Sequence, residues 1–455
     1  MFIMKKLIYI LLICVPVFVS ACTKSDASWI DDELFDAVLQ ETVLTVTPSI
    51  RYQPIVGFGG MYNPKIWWGS NMLTDADINK LYGASGLGYS ILRLMIYPKE
   101  SDWTADVSGA RIAQQNGALV VACPWDCTDA LDDKTHPKGK HLNPEKYQEY
   151  TDHLVKYVNY MKDNGVNLYA ISMQNEPDMN YTYWKPAEVV NYIRDYGAQI
   201  RATGVKLMAP EACGMQPAYT DPVLNDPVTF ANTDIVAGHL YQGFTDLSSS
   251  YVKNRHDYIT GLYDTRLAPA GKTWWMTEHL FNDGADETDS FKWKFWTWDY
   301  CMSHLAKEIH MTMEGYCSAY IYWYLKRFYG MMGDNDPRSI VPEGEITKNG
   351  YILSHYAKYA TSTTRIKVDS DDSSILATAY VNADGKEITL VVLNTTKKDT
   401  KLAIVLPVTV KGVSAVQTTK EVNMKETVSQ LSQDGKSAFV LASANGITSV
   451  RLSLF

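Results

Sequence analysis

The sequence predicts an α/β protein, a (β/α)8 TIM barrel carrying a side β-sandwich built mainly from the C-terminus plus one N-terminal strand. Eight short apolar runs alternate with helix-period segments across residues 57–354, the rhythm of eight strand–helix units. Beyond residue 354 the helix-period segments stop, and short β-prone runs separated by turn signals take over. No Gly-x-Gly-x-x-Gly follows the first run, so an open doubly wound sheet loses its usual signature.

Residues 41–47 alternate as a half-exposed strand does. They precede the barrel rhythm, so residues 41–56 are expected to pair with the C-terminal sheet. Residues 55–61 form the first barrel strand, and its glycines suggest a backbone that a ligand approaches closely. The other seven strands are expected at 89–97, 118–123, 167–174, 205–211, 234–241, 273–278 and 319–324. Among the helices, Asn143-Pro144 supplies an N-cap and a proline at the first helical position. Tyr147, Tyr150, Leu154, Tyr157, Val158 and Met161 then share one face, and Asn164-Gly165 ends the helix. Residues 186–200 repeat the pattern with Val189, Val190, Ile193 and Tyr196. The sandwich, residues 355–455, draws on runs at 374–381, 387–393, 401–406, 438–441 and 449–454, with turns at 382–385 and 434–435.

A formal charge of −9 leaves no footprint for nucleic acid. The 30 Tyr and 12 Trp stand out, because flat rings with polar tips suit sugars, which are apolar on one face and polar at the rim. At the N-terminus, Lys5 and Lys6 precede an apolar run, 7–19, too short to span a bilayer. It ends in Val19-Ser20-Ala21-Cys22, which resembles a bacterial lipobox. Residues 1–21 are therefore expected to be a signal peptide. Cys22 is the expected lipid anchor in the bacterial cell envelope, and 22–40 the tether. With Cys14 in the signal peptide and Cys22 set aside, five of the seven cysteines remain, an odd number that makes no disulfide framework. Cys123-x-x-x-Cys127 lacks a second pair at zinc-finger spacing. With no His-Glu-x-x-His and no P-loop, no metal or other cofactor is expected.

Barrel enzymes put their chemistry at the carboxyl ends of the strands. Taken in order, those ends offer Arg93; Trp125 and Asp126; Asn175 and Glu176; Glu211; His239 and Tyr241; Glu278; Trp323 and Tyr324. Pro177 cannot donate to a sheet ladder, so the fourth strand must stop beside Glu176. Glu278 closes the seventh run in the same way. Two carboxylic acids at two strand ends suit glycoside hydrolysis, one protonating the leaving oxygen and one meeting the positive charge that develops on the sugar. At a separation of about 5–5.5 Å the second attacks the anomeric carbon and configuration is retained. Glu176 must then be protonated at rest, its pKa raised by the negative Glu278, while a cation such as Arg93 keeps Glu278 charged. Asn175 is placed to donate to the sugar 2-hydroxyl. Glu211 and His279 are read as structural, and His239 as holding a neighbour in place.

Several motifs together resemble glycoside hydrolase family 30, in its glucuronoxylan-type endo-β-1,4-xylanase branch. They are Gly57-Phe-Gly-Gly-Met61, Ser90-Ile-Leu-Arg93, Cys123-Pro-Trp125, residues 168–178 with Gln174-Asn-Glu-Pro-Asp178, Leu224-Asn-Asp-Pro227, His239-Leu-Tyr241, Trp275-Met-Thr-Glu278 and residues 322–330. The resemblance covers residues 54–455. It implies a barrel fused to a side β-sandwich, a retaining mechanism, Glu176 as acid/base and Glu278 as nucleophile. It also implies supporting roles for Arg93, Asn175 and Tyr241, and a sugar site lined by Trp125 and Trp323. The branch reads a glucuronate substituent with arginine after the eighth strand. Here the pair is Lys326-Arg327, and Arg327 keeps the fork that can hold a carboxylate by two bonds. The expected partner is a xylan or glucuronoxylan chain, and the expected state a monomer. Two rival readings use the same residues: a relative acting on another linkage (β-1,6-glucanase, β-1,6-galactanase or glucosylceramidase-like), and a non-catalytic glycan-binding lipoprotein.

Overall fold

The computed structural model describes residues 40–69, 73–215, 217–241, 243–280 and 297–455; the expected signal peptide, Cys22 and most of the tether lie outside the described residues. Eight parallel strands close into a barrel: Gly57–Met61, Ile91–Ile96, Leu119–Pro124, Leu168–Ser172, Lys206–Ala212, Ile235–His239, Thr273–His279 and Cys317–Tyr322. The eighth pairs with the first through Ala319 opposite Gly57, and Thr273 of the seventh faces Ile235 of the sixth, which completes the ring.

The strands stop earlier than the apolar runs do. The fourth ends at Ser172, the sixth at His239 and the eighth at Tyr322. Asn175, Glu176, Tyr241 and Trp323 therefore sit on short connections just above the ladder. Their backbone is still tied down: Asn175 N donates to Pro124 O (2.8 Å) and Glu176 N to Glu211 O (3.0 Å).

Side chains alternate along a strand, so every second residue enters the barrel. A floor of Ile91, Val121, Ala170, Ala237, Trp275 and Ala319 fills the lower interior. Two residues further up come Arg93, Cys123, Ser172, His239 and Thr277 on five of these strands and the apolar Ile321 on the eighth, all fully buried. The same period that packs the floor thus stacks a polar layer on top of it.

The glycines of the first strand make room for protein. A Cβ on Gly59 would lie 1.7 Å from Ile91 O, one on Gly57 2.1 Å from Ser90 Oγ, and one on Gly60 2.6 Å from a Leu325 methyl. The close neighbours are the second strand and the loop after the eighth, which corrects the expectation of a ligand there.

The helices follow their periodicity. Asn143 accepts from Glu145 N, and Tyr147–Asp163 buries Tyr147, Tyr150, Leu154, Tyr157, Val158 and Met161. Pro186–Arg201 buries Val189, Val190, Ile193 and Ile200. The eighth barrel helix, Lys348–Ala360, runs past residue 354 before the second sheet begins at Thr363.

That sheet has ten strands in one continuous hydrogen-bonded order. Gln40–Ile55 lies inside it, antiparallel to Thr363–Ser370 and parallel to Thr400–Val405. Leu44, Ile366, Leu390, Ile404, Val440 and Leu452 share one core, so the sheet curls on itself as the side β domain. Thr363–Ser370 and Val410–Thr418 carry no clear sequence signal; charged residues and Gly412 interrupt their alternation, and pairing on both edges holds them in the sheet.

Candidate active site

Barrel closure brings Glu176 and Glu278 together. Glu176, His239 and Glu278 each offer an atom to a cluster whose members all lie within 4.8 Å of one another. Both carboxylates are nearly buried, with 7% and 4% of their surface exposed. Glu176 has φ +46°, a left-handed conformation unusual for a side-chain-bearing residue. Strain of this kind persists where surrounding bonds over-determine it, and here the bond to Glu211 O and the turn closed by Met179 N onto Glu176 O do so.

Glu278 is held from two sides. Arg93 Nη1 donates to its Oε2 at 2.6 Å and the Tyr241 hydroxyl donates to its Oε1 at 2.6 Å. Arg93 is fully buried in the second strand, and its other nitrogen, Nη2, donates to Asn175 Oδ1 at 2.7 Å. The guanidinium thus fixes the spacing between the nucleophile candidate and the residue beside Glu176. It also fixes the flip of the Asn175 amide. Asn175 Nδ2 is buried without a hydrogen-bond partner among the described residues, an unspent donor beside Glu176.

His239 and Glu211 do more than the sequence suggests. His239 Nδ1 is 2.9 Å from Glu176 Oε1 and its Nε2 is 3.3 Å from Glu211 Oε2. Burial disfavours a charged ring, but the Glu278, Glu176 and Glu211 carboxylates outweigh it and push the His239 pKa up to about 10. Glu211 lies in the polar layer above the floor, with bonds from Ser172 and Thr277 and with Arg93 Nη2 at 3.8 Å. Burial works to raise its pKa; His239, Arg93 and Ser172 prevail and hold it down at about 2. For Glu176 burial again acts upward, yet the bond and charge of His239, the Cys213 thiol and Arg93 hold it below its ordinary value. The expectation that Glu278 raises the Glu176 pKa is corrected: the bond and charge of His239 outweigh burial and hold it down.

The aromatic wall differs in detail. Trp125 is 2% exposed, with Arg93 4.8 Å from its ring centre and Trp323 5.7 Å away, so it is a buried support instead of an open sugar face. Trp323 is half-buried. The exposed ring is Trp67, which stands edge-on to Trp125 and Trp323 at 5.7 and 5.8 Å. Sequence reasoning passed over it, although the Trp67-Trp68 pair follows the glycine-rich first strand directly.

Lys326 and Arg327 part company. Lys326 is buried, its Nζ 2.9 Å from Asp77 Oδ2 and 3.2 Å from Glu343 Oε1. Arg327 lies over the Trp68 ring at 4.5 Å, with Nη1 3.4 Å from both Asp334 Oδ2 and Asp336 Oδ2. Only Arg327 remains near the aromatic wall. Cys123 and Cys127 are separate buried thiols.

No protein-family model matches the chain. The glucuronoxylanase XynC of Bacillus subtilis (strain 168) is 32% identical over 370 residues, 80% of each chain. Among solved structures, a GH30 endoxylanase from Clostridium papyrosolvens C71 is similar at 29% identity with a TM-score of 0.74, covering 90% of this chain and 99% of that one. The glycoside hydrolase family 30 subfamily 8 xylanase Xyn30A from Clostridium acetobutylicum is similar at 27% identity with a TM-score of 0.73, at the same two coverages.

Proposed function

The chain belongs to glycoside hydrolase family 30, and on that premise we infer a retaining endo-β-1,4-xylanase acting on xylan of the glucuronoxylan type. The observation that carries the reading is the approach of the Glu176 and Glu278 carboxylates to within 4.8 Å. That spacing suits direct attack and leaves no room for the water an inverting enzyme needs.

Glu278 attacks the anomeric carbon, with Arg93 and Tyr241 fixing both its oxygens. Glu176 protonates the leaving oxygen. Its proton comes along the 2.9 Å bond from His239 Nδ1: a sugar oxygen gives protonated Glu176 an acceptor, and the sugar's exclusion of water favours the neutral His–Glu pair over the charged one. Once Glu278 is glycosylated its negative charge is gone. Glu176 then takes a proton from water, and the resulting hydroxide equivalent releases the sugar. Asn175 Nδ2 donates to the 2-hydroxyl, a bond that strengthens in the transition state. Trp67 and Trp323 offer ring faces to the chain, and Arg327 its charge to a uronate branch.

The N-terminal pattern ending in Cys22 supports export and a lipid anchor in the bacterial cell envelope, with the catalytic unit acting as a monomer. Replacing Cys22 with Ala should move the protein from the membrane to the soluble fraction; unchanged fractionation would remove the anchor. The enzymatic reading is tested by incubation with glucuronoxylan and with linear arabinoxylan. β-Anomeric xylo-oligosaccharides released first would support it, and inertness on both would overturn it.

A further inference from the structure

Tyr241 reaches Glu278 from a loop, not from a strand. The chain leaves the sixth strand at His239 and turns at once, with Gly243 N donating to Leu240 O at 2.8 Å. The ladder holds the start of the turn, where Leu240 N donates to Glu278 O at 3.4 Å. Its far side is held by two buried ionisable side chains from two different helices.

Arg255, on helix Ser250–Leu262, is 7% exposed. Its Nη1 donates to Tyr241 O and its Nη2 to Gly243 O, both at 2.9 Å. Glu308, on helix Lys307–Glu314, is fully buried. Its Oε2 accepts from Phe244 N at 2.6 Å and its Oε1 from the Thr312 hydroxyl at 3.0 Å. Gly243 has φ +53°, and a Cβ there would come within 1.9 Å of Glu308 Oε2, so the carboxylate approaches only because the residue is glycine.

Neither charge touches the reacting centre. Both bind the backbone of the turn, the guanidinium on two carbonyls and the Glu308 carboxyl on the next amide. Burying a guanidinium and a carboxylate without direct pairing is costly, and neutral side chains could cap a turn. What the two side chains add is a hold on the backbone of the segment whose hydroxyl lies 2.6 Å from Glu278.

We propose that Arg255 and Glu308 are positioning residues, a two-sided clamp that holds Tyr241 against Glu278. The proposal rests on Glu278 being the nucleophile. It predicts energetic coupling: the clamp matters for turnover only while Tyr241 has its hydroxyl.

The test is a double-mutant cycle of Glu308→Gln and Tyr241→Phe, measured on an aryl β-glycoside that the wild type turns over. Glu308→Gln alone should lower kcat about tenfold with KM changed less than about twofold. In the Tyr241→Phe background the same substitution should change kcat less than about twofold. Equal losses in both backgrounds, or no loss from Glu308→Gln alone, would overturn the clamp. Should Glu308→Gln not fold, Arg255→Lys takes its place in the cycle with the same two readings. Because the cycle uses an aryl glycoside, inertness on xylan would fault the substrate assignment and leave the clamp to its own result. An active Glu278→Gln would remove the nucleophile on which the clamp acts.

Discussion

Nδ1 of His239 and Oε1 of Glu176 lie 2.9 Å apart in a fully buried contact, one hydrogen bond joining the sixth strand to the turn after the fourth. The bond joins the acid candidate to a base that the sequence offered only as a support. It also ties the protonation of the site to the stability of the fold.

Stability should therefore vary with pH at both ends. The folded-state pKa of His239 is raised from 6.5 to about 10, so its contribution is complete below 6.5 and is lost as pH rises through about 10. That of Glu211 is lowered from 4.5 to about 2, so its contribution is present above 4.5 and is lost as pH falls towards 2. Melting temperatures measured from pH 3 to 10.5 should show a falling limb from each of these two groups, one at the acid end and one at the alkaline end. His239→Gln should flatten the alkaline limb, and an unchanged limb would show that another group titrates there.

Replacing Glu176 with Ala should slow hydrolysis of xylan by about 10²–10⁴-fold, the usual worth of general acid–base catalysis. A substrate with a good leaving group needs no acid, so an activated aryl glycoside should form the glycosyl-enzyme at near wild-type rate, and added azide should speed its breakdown. No azide effect would argue that Glu176 is not the acid/base.

Glu278→Gln should abolish turnover, by at least about 10³-fold, while xylo-oligosaccharides still bind. The amide keeps the size of the carboxylate and removes the nucleophile. Calorimetry on the variant reads binding separately from rate, and residual turnover near the wild-type level would refute the assignment.

Arg327→Ala should cut activity on glucuronate-branched xylan by about tenfold more than on unbranched xylan, the scale of a lost charge-assisted fork. Asp334 and Asp336 already lean on the same nitrogen, so equal losses on both substrates would mean that Arg327 serves its own loop.

Gly59→Ala should destabilise the barrel by at least about 2 kcal/mol, since a backbone carbonyl cannot yield as a side chain can. The added Cβ would meet Ile91 O at 1.7 Å. A chemical denaturation midpoint equal to wild type would show that the first and second strands can separate without cost.

The amino-acid order by itself determined what depends on near neighbours. Eight apolar runs, the break at Pro177, the caps around Tyr147–Asp163 and the two glutamates at run ends are all local, because strand and helix periods and proline's missing N–H act over a few residues. Only the tertiary structure decided what those glutamates are. Arg93 and Glu278 are 185 positions apart in the chain, and Glu211 meets His239 across two strands. Which cation stands nearest Glu176, whether Trp125 or Trp67 shows a ring to solvent, and whether Lys326 or Arg327 faces the aromatic wall all follow from closure of the ring. Charge and burial at a site are sums over everything packed around it, and those neighbours are assembled by the fold, not by adjacency in the chain.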